Sequence, residues 1–236
     1  MAKGRDITET GGTGVARSAK SDVASFLDAA KRTRPVAQAA GRIVFALDAT
    51  ASRQPTWDRA RDLQAGMFEE AGKVGGLAVQ LVYFRGMGEC RSSRWVTDTQ
   101  ALSRSMSAIK CSAGLTQIGK VLAHTLKQAK GDGVSAAVLI GDASEENIDV
   151  LAGRAGQLRL LNAPVFAFLE GADRDAEAAY RTIAKLSGGV FARFDTGSAA
   201  RLRDLLASVA RYAAGGRAAL TSGKRADRLL LEQMKR

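Results

Sequence analysis

The chain has 236 residues, of which 46% are hydrophobic and 25% charged, with a formal net charge of +11 and a pI near 10.1. That apolar content is enough for one core and excludes wholesale disorder, while the length suits one domain with flanking arms better than two full domains. Two cysteines, Cys90 and Cys111, and a single histidine exclude a disulfide framework, a Cys/His zinc cluster and a two-histidine zinc motif.

Residues 1–40 read as a basic, partly disordered arm. Its first twenty residues are rich in Gly, Thr and Ser, so no signal peptide is expected. Ser21 is placed to cap a short helix with Val23, Phe26, Leu27 and Ala30 on one face, ending before Pro35. The core begins at Ile43-Val44-Phe45-Ala46-Leu47, a continuous apolar run of the kind found in strands buried on both faces. It stops at Asp48-Ala49-Thr50-Ala51-Ser52. After Pro55 and Thr56, a helix is expected with Trp57, Ala60, Leu63, Met67, Ala71 and Val74 as its core stripe, stopped by Gly75-Gly76.

Leu77–Phe84 reads as the second buried strand and Cys90–Val96 as a weaker edge strand. Thr99–Ile109 reads as a short helix. A small-residue loop, Ser112-Ala113-Gly114-Leu115-Thr116, leads into another helix that runs through Ala129. Ser135–Ile140 is again an apolar strand, and again an acid, Asp142, follows it. Helices at about 147–161, 174–187 and 199–213 alternate with strands Val165–Leu169 and Val190–Phe194. The alternation predicts an α/β fold over residues 41–214: a doubly wound, mostly parallel central sheet with helices on both faces and one antiparallel edge strand. Residues 215–236, after Gly215-Gly216, read as a basic tail in which Leu229-Leu230-Leu231 and Met234 suit a short docking helix. No internal repeat is found, and no run of about 18 apolar residues that would predict a membrane span. The thiols are expected to be reduced, as in a cytoplasmic protein.

The basicity belongs mainly to the ends. Residues 1–35 carry seven basic side chains against four acidic ones, and residues 211–236 carry seven against two. Such ends serve solubility or an acidic protein surface, and they allow a nucleic-acid-associated role. Aromatic residues that would stack on single strands are almost absent from them.

Parallel sheets bind ligands beyond the carboxyl ends of their strands, at the point where strand order reverses. Asp48 and Asp142 both stand at such ends. Thr50 and Ser52 follow Asp48 at alternate positions, which point the same way in an extended turn, and Thr116 lies in the loop before a helix. Two carboxylates and three hydroxyls are hard oxygen donors suited to Mg2+ or Mn2+ rather than to zinc or copper. The arrangement resembles the von Willebrand factor type A (VWA) domain and its metal-ion-dependent adhesion site. In that family an Asp-x-Ser-x-Ser loop follows the first strand, a later loop supplies a Thr, and an Asp follows the fourth strand. Asp48-Ala49-Thr50-Ala51-Ser52, Thr116 and Asp142 match these in order, with Thr50 in place of the first Ser.

The resemblance implies a Mg2+ or Mn2+ ion held at Asp48, Thr50, Ser52, Thr116 and Asp142, with one coordination position left for an Asp or Glu of a partner protein. It also implies a scaffold or adaptor role, in some assemblies alongside an ATPase, and no enzymatic activity. Arg53 departs from the small or Met residue common after the motif. With Gly114 and Leu115 it is a candidate partner contact, beside the open position.

Other readings compete. Asp48-Ala49-Thr50 is similar to the nucleophile loop of haloacid-dehalogenase-type phosphotransferases, which would make this a metal-dependent phosphatase using Lys120 or Lys127 on phosphate. The second Asp of those sites is replaced here by Thr50. Gly114–Val121 nearly spells a phosphate-binding loop, but Val121 lacks the hydroxyl and the segment follows a helix. His124 reads as a helical histidine with an ordinary partner, Cys90 and Cys111 as free thiols, and Glu145-Glu146 as the first turn of the following helix.

Overall fold

The computed structural model describes residues 41–56, 77–195, 199–220 and 224–235. The helices expected after Ser21 and over Trp57–Val74 lie outside the described residues.

Six strands, β1 (Gly41–Asp48), β2 (Leu77–Arg85), β3 (Glu89–Ser92), β4 (Ala136–Gly141), β5 (Val165–Glu170) and β6 (Val190–Phe194), form one sheet in the order β3-β2-β1-β4-β5-β6. All pairings are parallel except β2 with β3, the antiparallel edge. The expected edge strand is shorter than the sequence suggests. It ends at Ser92, and Val96 returns to the sheet only as a single bridge to Val79. Ser93 interrupts the ladder by turning its hydroxyl into the sheet, where it accepts from the Leu81 N–H at 2.9 Å.

The described helices are α1 (Thr99–Ser107), α2 (Ile118–Gly131), α3 (Ile148–Leu160), α4 (Arg174–Ser187), α5 (Ala199–Gly215) and α6 (Arg225–Gln233). Alternation along β1 divides the core: Ile43, Phe45 and Leu47 pack with α1, α5 and α6, while Val44 and Ala46 pack with α2, α3 and α4. Both faces are therefore covered, as the unbroken apolar strands required. No described helix is long and apolar enough to cross a membrane.

The segment read from sequence as a tail is packed onto the domain. Leu220, Ala226 and Leu230 join the core, and Asp227, fully buried, accepts from Ser208 Oγ at 2.6 Å and from the Arg211 guanidinium at 2.7 Å. At the far end of α6 the Gln233 amide accepts from the Phe191 N–H at 3.0 Å and donates to the Phe191 carbonyl at 3.1 Å. That pair of bonds satisfies backbone groups on the edge strand β6 that would otherwise be open to strand pairing.

Candidate functional site

Because β1 and β4 are neighbours and the chain leaves them toward opposite sheet edges, their carboxyl ends flank the crevice where strand order reverses. Asp48 is the last residue of β1, and Asp142 directly follows β4. The loop after β1 tightens at once into a 3-10 turn, Ala51–Thr56, and this curls the hydroxyls of Thr50 and Ser52 to within 3.0 Å of each other. Asp48 Oδ1 accepts from the Thr50 N–H at 2.8 Å, and Ser52 Oγ donates to Asp142 Oδ1 at 3.1 Å. Asp48, Thr50, Ser52 and Asp142 thus form one hydrogen-bonded chain across the crevice.

The loop before α2 lies against this chain. Ser112 donates its N–H to the Ala49 carbonyl at 3.0 Å and bridges to Thr50. Gly114 meets Gly86 of the β2–β3 turn so closely that any Cβ would overlap the Gly86 backbone. Thr116, 2% exposed, reaches the same end of the sheet, but its hydroxyl donates to Glu145 Oε2 at 2.8 Å, and the same oxygen accepts from the Thr116 N–H at 2.9 Å.

Glu146 Oε2 accepts from the Gly119 N–H at 2.9 Å. These two acids therefore do not open their own helix, as their place in the sequence suggests. Asn147 caps α3, accepting from the Asp149 N–H at 2.8 Å, while Glu145 and Glu146 reach across to the start of α2, whose own N-cap, Gln117, makes no side-chain capping bond.

Asp48 is 1% exposed, and its Oδ2 has no hydrogen-bond partner. Burial pushes its carboxyl from 3.8 up to about 6; the Thr50 hydrogen bonds and Arg53 pull the other way, and Asp142 adds to the rise. Above Gly141 the space is tight. A Cβ there would overlap the Tyr180 hydroxyl and stand 3.1 Å from Asp48 Oδ2. Tyr180, on α4, is fully buried with its hydroxyl unpartnered.

A buried, unpartnered carboxylate oxygen at the end of β1, with two hydroxyls and a second carboxylate in the same hydrogen-bonded chain, suits a hard divalent cation. Among the described residues there is no group of three or more His, Cys, Asp and Glu side chains able to hold an ion, so such a site depends on its hydroxyls.

The partner-contact candidates separate. Leu115 is 54% exposed and Gly114 is also on the surface, both at the rim. Arg53 does not face a partner. It is 1% exposed and turned inward to an ion pair with Glu170 at the end of β5. Glu170 and Tyr180 carry no signal in the sequence, whereas Glu145 reads there as part of a helix's first turn and instead accepts from Thr116. Elsewhere, His124 bonds Gln80 at 2.7 Å, and Cys90 and Cys111 are free thiols, each pushed up to about 11 chiefly by burial.

In comparisons with known proteins, no family model and no curated protein matches this chain. Solved structures do. A von Willebrand factor type A protein from Catenulispora acidiphila aligns with a TM-score of 0.59 at 17% identity, over 73% of this chain and 43% of that one. The SpRpn10 VWA domain aligns with a TM-score of 0.58 at 11% identity, over 70% of this chain and 94% of the domain. The pilus adhesin SpaC from Lactobacillus rhamnosus GG aligns at 0.59 and 12%, over 77% of this chain and 31% of the adhesin. The chain thus spans less than half the length of two of these three. The likeness is one of fold: the sheet and its helices form a VWA-type, Rossmann-like domain.

Proposed function

We propose that the chain is a protein–protein interaction module that docks its partner at the crevice between β1 and β4. In this reading Asp48, Thr50, Ser52, Thr116 and Asp142 hold Mg2+ or Mn2+, and the ion takes an Asp or Glu side chain of the partner. The observation that carries the reading is the Asp48 carboxylate: buried, unpartnered at Oδ2 and joined through Thr50 and Ser52 to a second carboxylate. A bound cation would supply positive charge and an open coordination position.

The chain's own residues do the rest. Thr50 and Ser52 present lone pairs, Glu145 fixes the Thr116 loop, and Leu115 offers an apolar contact beside the crevice. The role is recognition rather than turnover, in keeping with the pilus adhesin among the proteins of similar fold.

The test is retention of a binding protein on immobilised chain. Retention is expected in Mg2+ and is lost in EDTA, in Asp48→Ala and in Thr116→Ala, with both variants folded. Retention indifferent to EDTA and to both substitutions overturns the reading. If it also collapses with salt, the basic surface is the binding element.

A further inference from the structure

Arg53 follows the Asp48–Ser52 loop directly, and the fold buries it. Its N–H donates to the Thr50 carbonyl at 3.1 Å, which turns the side chain inward from the same loop that carries the candidate ligands. The guanidinium meets Glu170, at the end of β5, beside the β4 end that Asp142 follows. Asp142 and Asp48 also lie near enough for their charges to act on it, and it acts in return on Asp48.

An arginine stays charged at any ordinary pH. Buried, that charge is little screened by salt, and burying it is costly unless acids surround it. Here the acids are Glu170 and the two carboxylates of the crevice. A divalent cation would draw on the same negative charge. Cation and guanidinium therefore compete for Asp48 and Asp142 while repelling each other.

Resting on the metal reading above, we propose that Arg53 is the tethered counter-cation of this site. Held inward by Glu170, it keeps a fixed positive charge beside Asp48 and Asp142 and so weakens divalent-ion binding by the isolated chain. A partner's carboxylate restores the missing negative charge, so metal and partner each tighten the binding of the other.

The experiment is Mn2+ titration of the full chain, read by loss of the free-ion electron paramagnetic resonance signal. It compares wild type, Arg53→Met and Arg53→Met/Glu170→Gln, each with and without Asp48→Asn. The double variant removes both members of the Arg53–Glu170 ion pair, so Glu170 is not left charged opposite an apolar side chain, and it guards against a single variant that fails to fold. Arg53→Met/Glu170→Gln is expected to bind Mn2+ at least tenfold more tightly than wild type, and Asp48→Asn to abolish the gain. Equal affinities in wild type and double variant, both lost with Asp48→Asn, overturn the role of Arg53 and leave the site standing. Absence of Mn2+ binding in every variant, or binding that survives Asp48→Asn, overturns the site reading and this inference with it.

Discussion

Asp48→Asn in the metal-free protein gives the sharpest test of the electrostatics. The Asp48 carboxyl titrates at about 6 in the fold against 3.8 as an ordinary carboxylate, because burial disfavours its charge. A raised folded-state value means that the native protein binds the proton more tightly than the unfolded chain. The associated stabilisation is fully present below pH 3.8 and is lost as pH rises through 6. Above that range the ionised carboxylate costs about 3 kcal/mol, at about 1.36 kcal/mol per pH unit of the rise.

The asparagine of Asp48→Asn keeps the acceptor for the Thr50 N–H and places an uncharged amide where Oδ2 stands, beside the Tyr180 hydroxyl. In EDTA at pH 8 the variant should therefore melt above wild type by up to about 6–12 °C, at about 2–4 °C per kcal/mol for a domain of this size. The difference should vanish toward pH 4. Following Tm of both proteins across this range by circular dichroism isolates Asp48, since all other titrations are shared. A constant difference, or a variant less stable than wild type at pH 8, refutes the assignment of strain to this carboxylate. On the proposed function, saturating Mg2+ should reverse the order at pH 8.

Tyr180→Phe removes a buried hydroxyl that has no partner, and should leave stability in EDTA unchanged or raise it by about 1 kcal/mol, measured by urea unfolding. A loss of that size would instead mean that the hydroxyl holds Asp48. Asp227→Ala should cost about 3 kcal/mol in the same assay, because it leaves Arg211 without its buried acid and frees α6 from α5. Gln233→Ala should cost about 1–2 kcal/mol and speed hydrogen exchange at the Phe191 amide, which its side chain satisfies.

How much of this was legible in the sequence follows from the range of each interaction. β1, β2, β4 and β5 announce themselves because burial on both faces leaves no polar alternation, and helices that must cover those faces follow from the same fact. The edge strand was overextended because β-branched and aromatic residues near Val96 suit a strand, whereas the inward hydroxyl of Ser93 that ends the ladder is a tertiary choice. The last helix was legible as Leu229-Leu230-Leu231, but its anchoring through Asp227 and Gln233 needs partners at Ser208, Arg211 and Phe191.

The site divides in the same way. Asp48, Thr50 and Ser52 are local, so their spacing alone brings their hydroxyls and carboxylate together. Arg53 is equally local, yet its role is set from a distance. An arginine next to an exposed motif reads as a surface charge reaching for a partner. The 3-10 turn directs it inward at the carboxyl ends of the strands instead, and Glu170, brought alongside by the β4–β5 pairing, makes the inward position tolerable. The same acid that allows Arg53 to be buried therefore fixes a positive charge beside the two carboxylates. On the proposed function, the affinity of the crevice for a cation would then depend on β5 as much as on the loop that carries the motif.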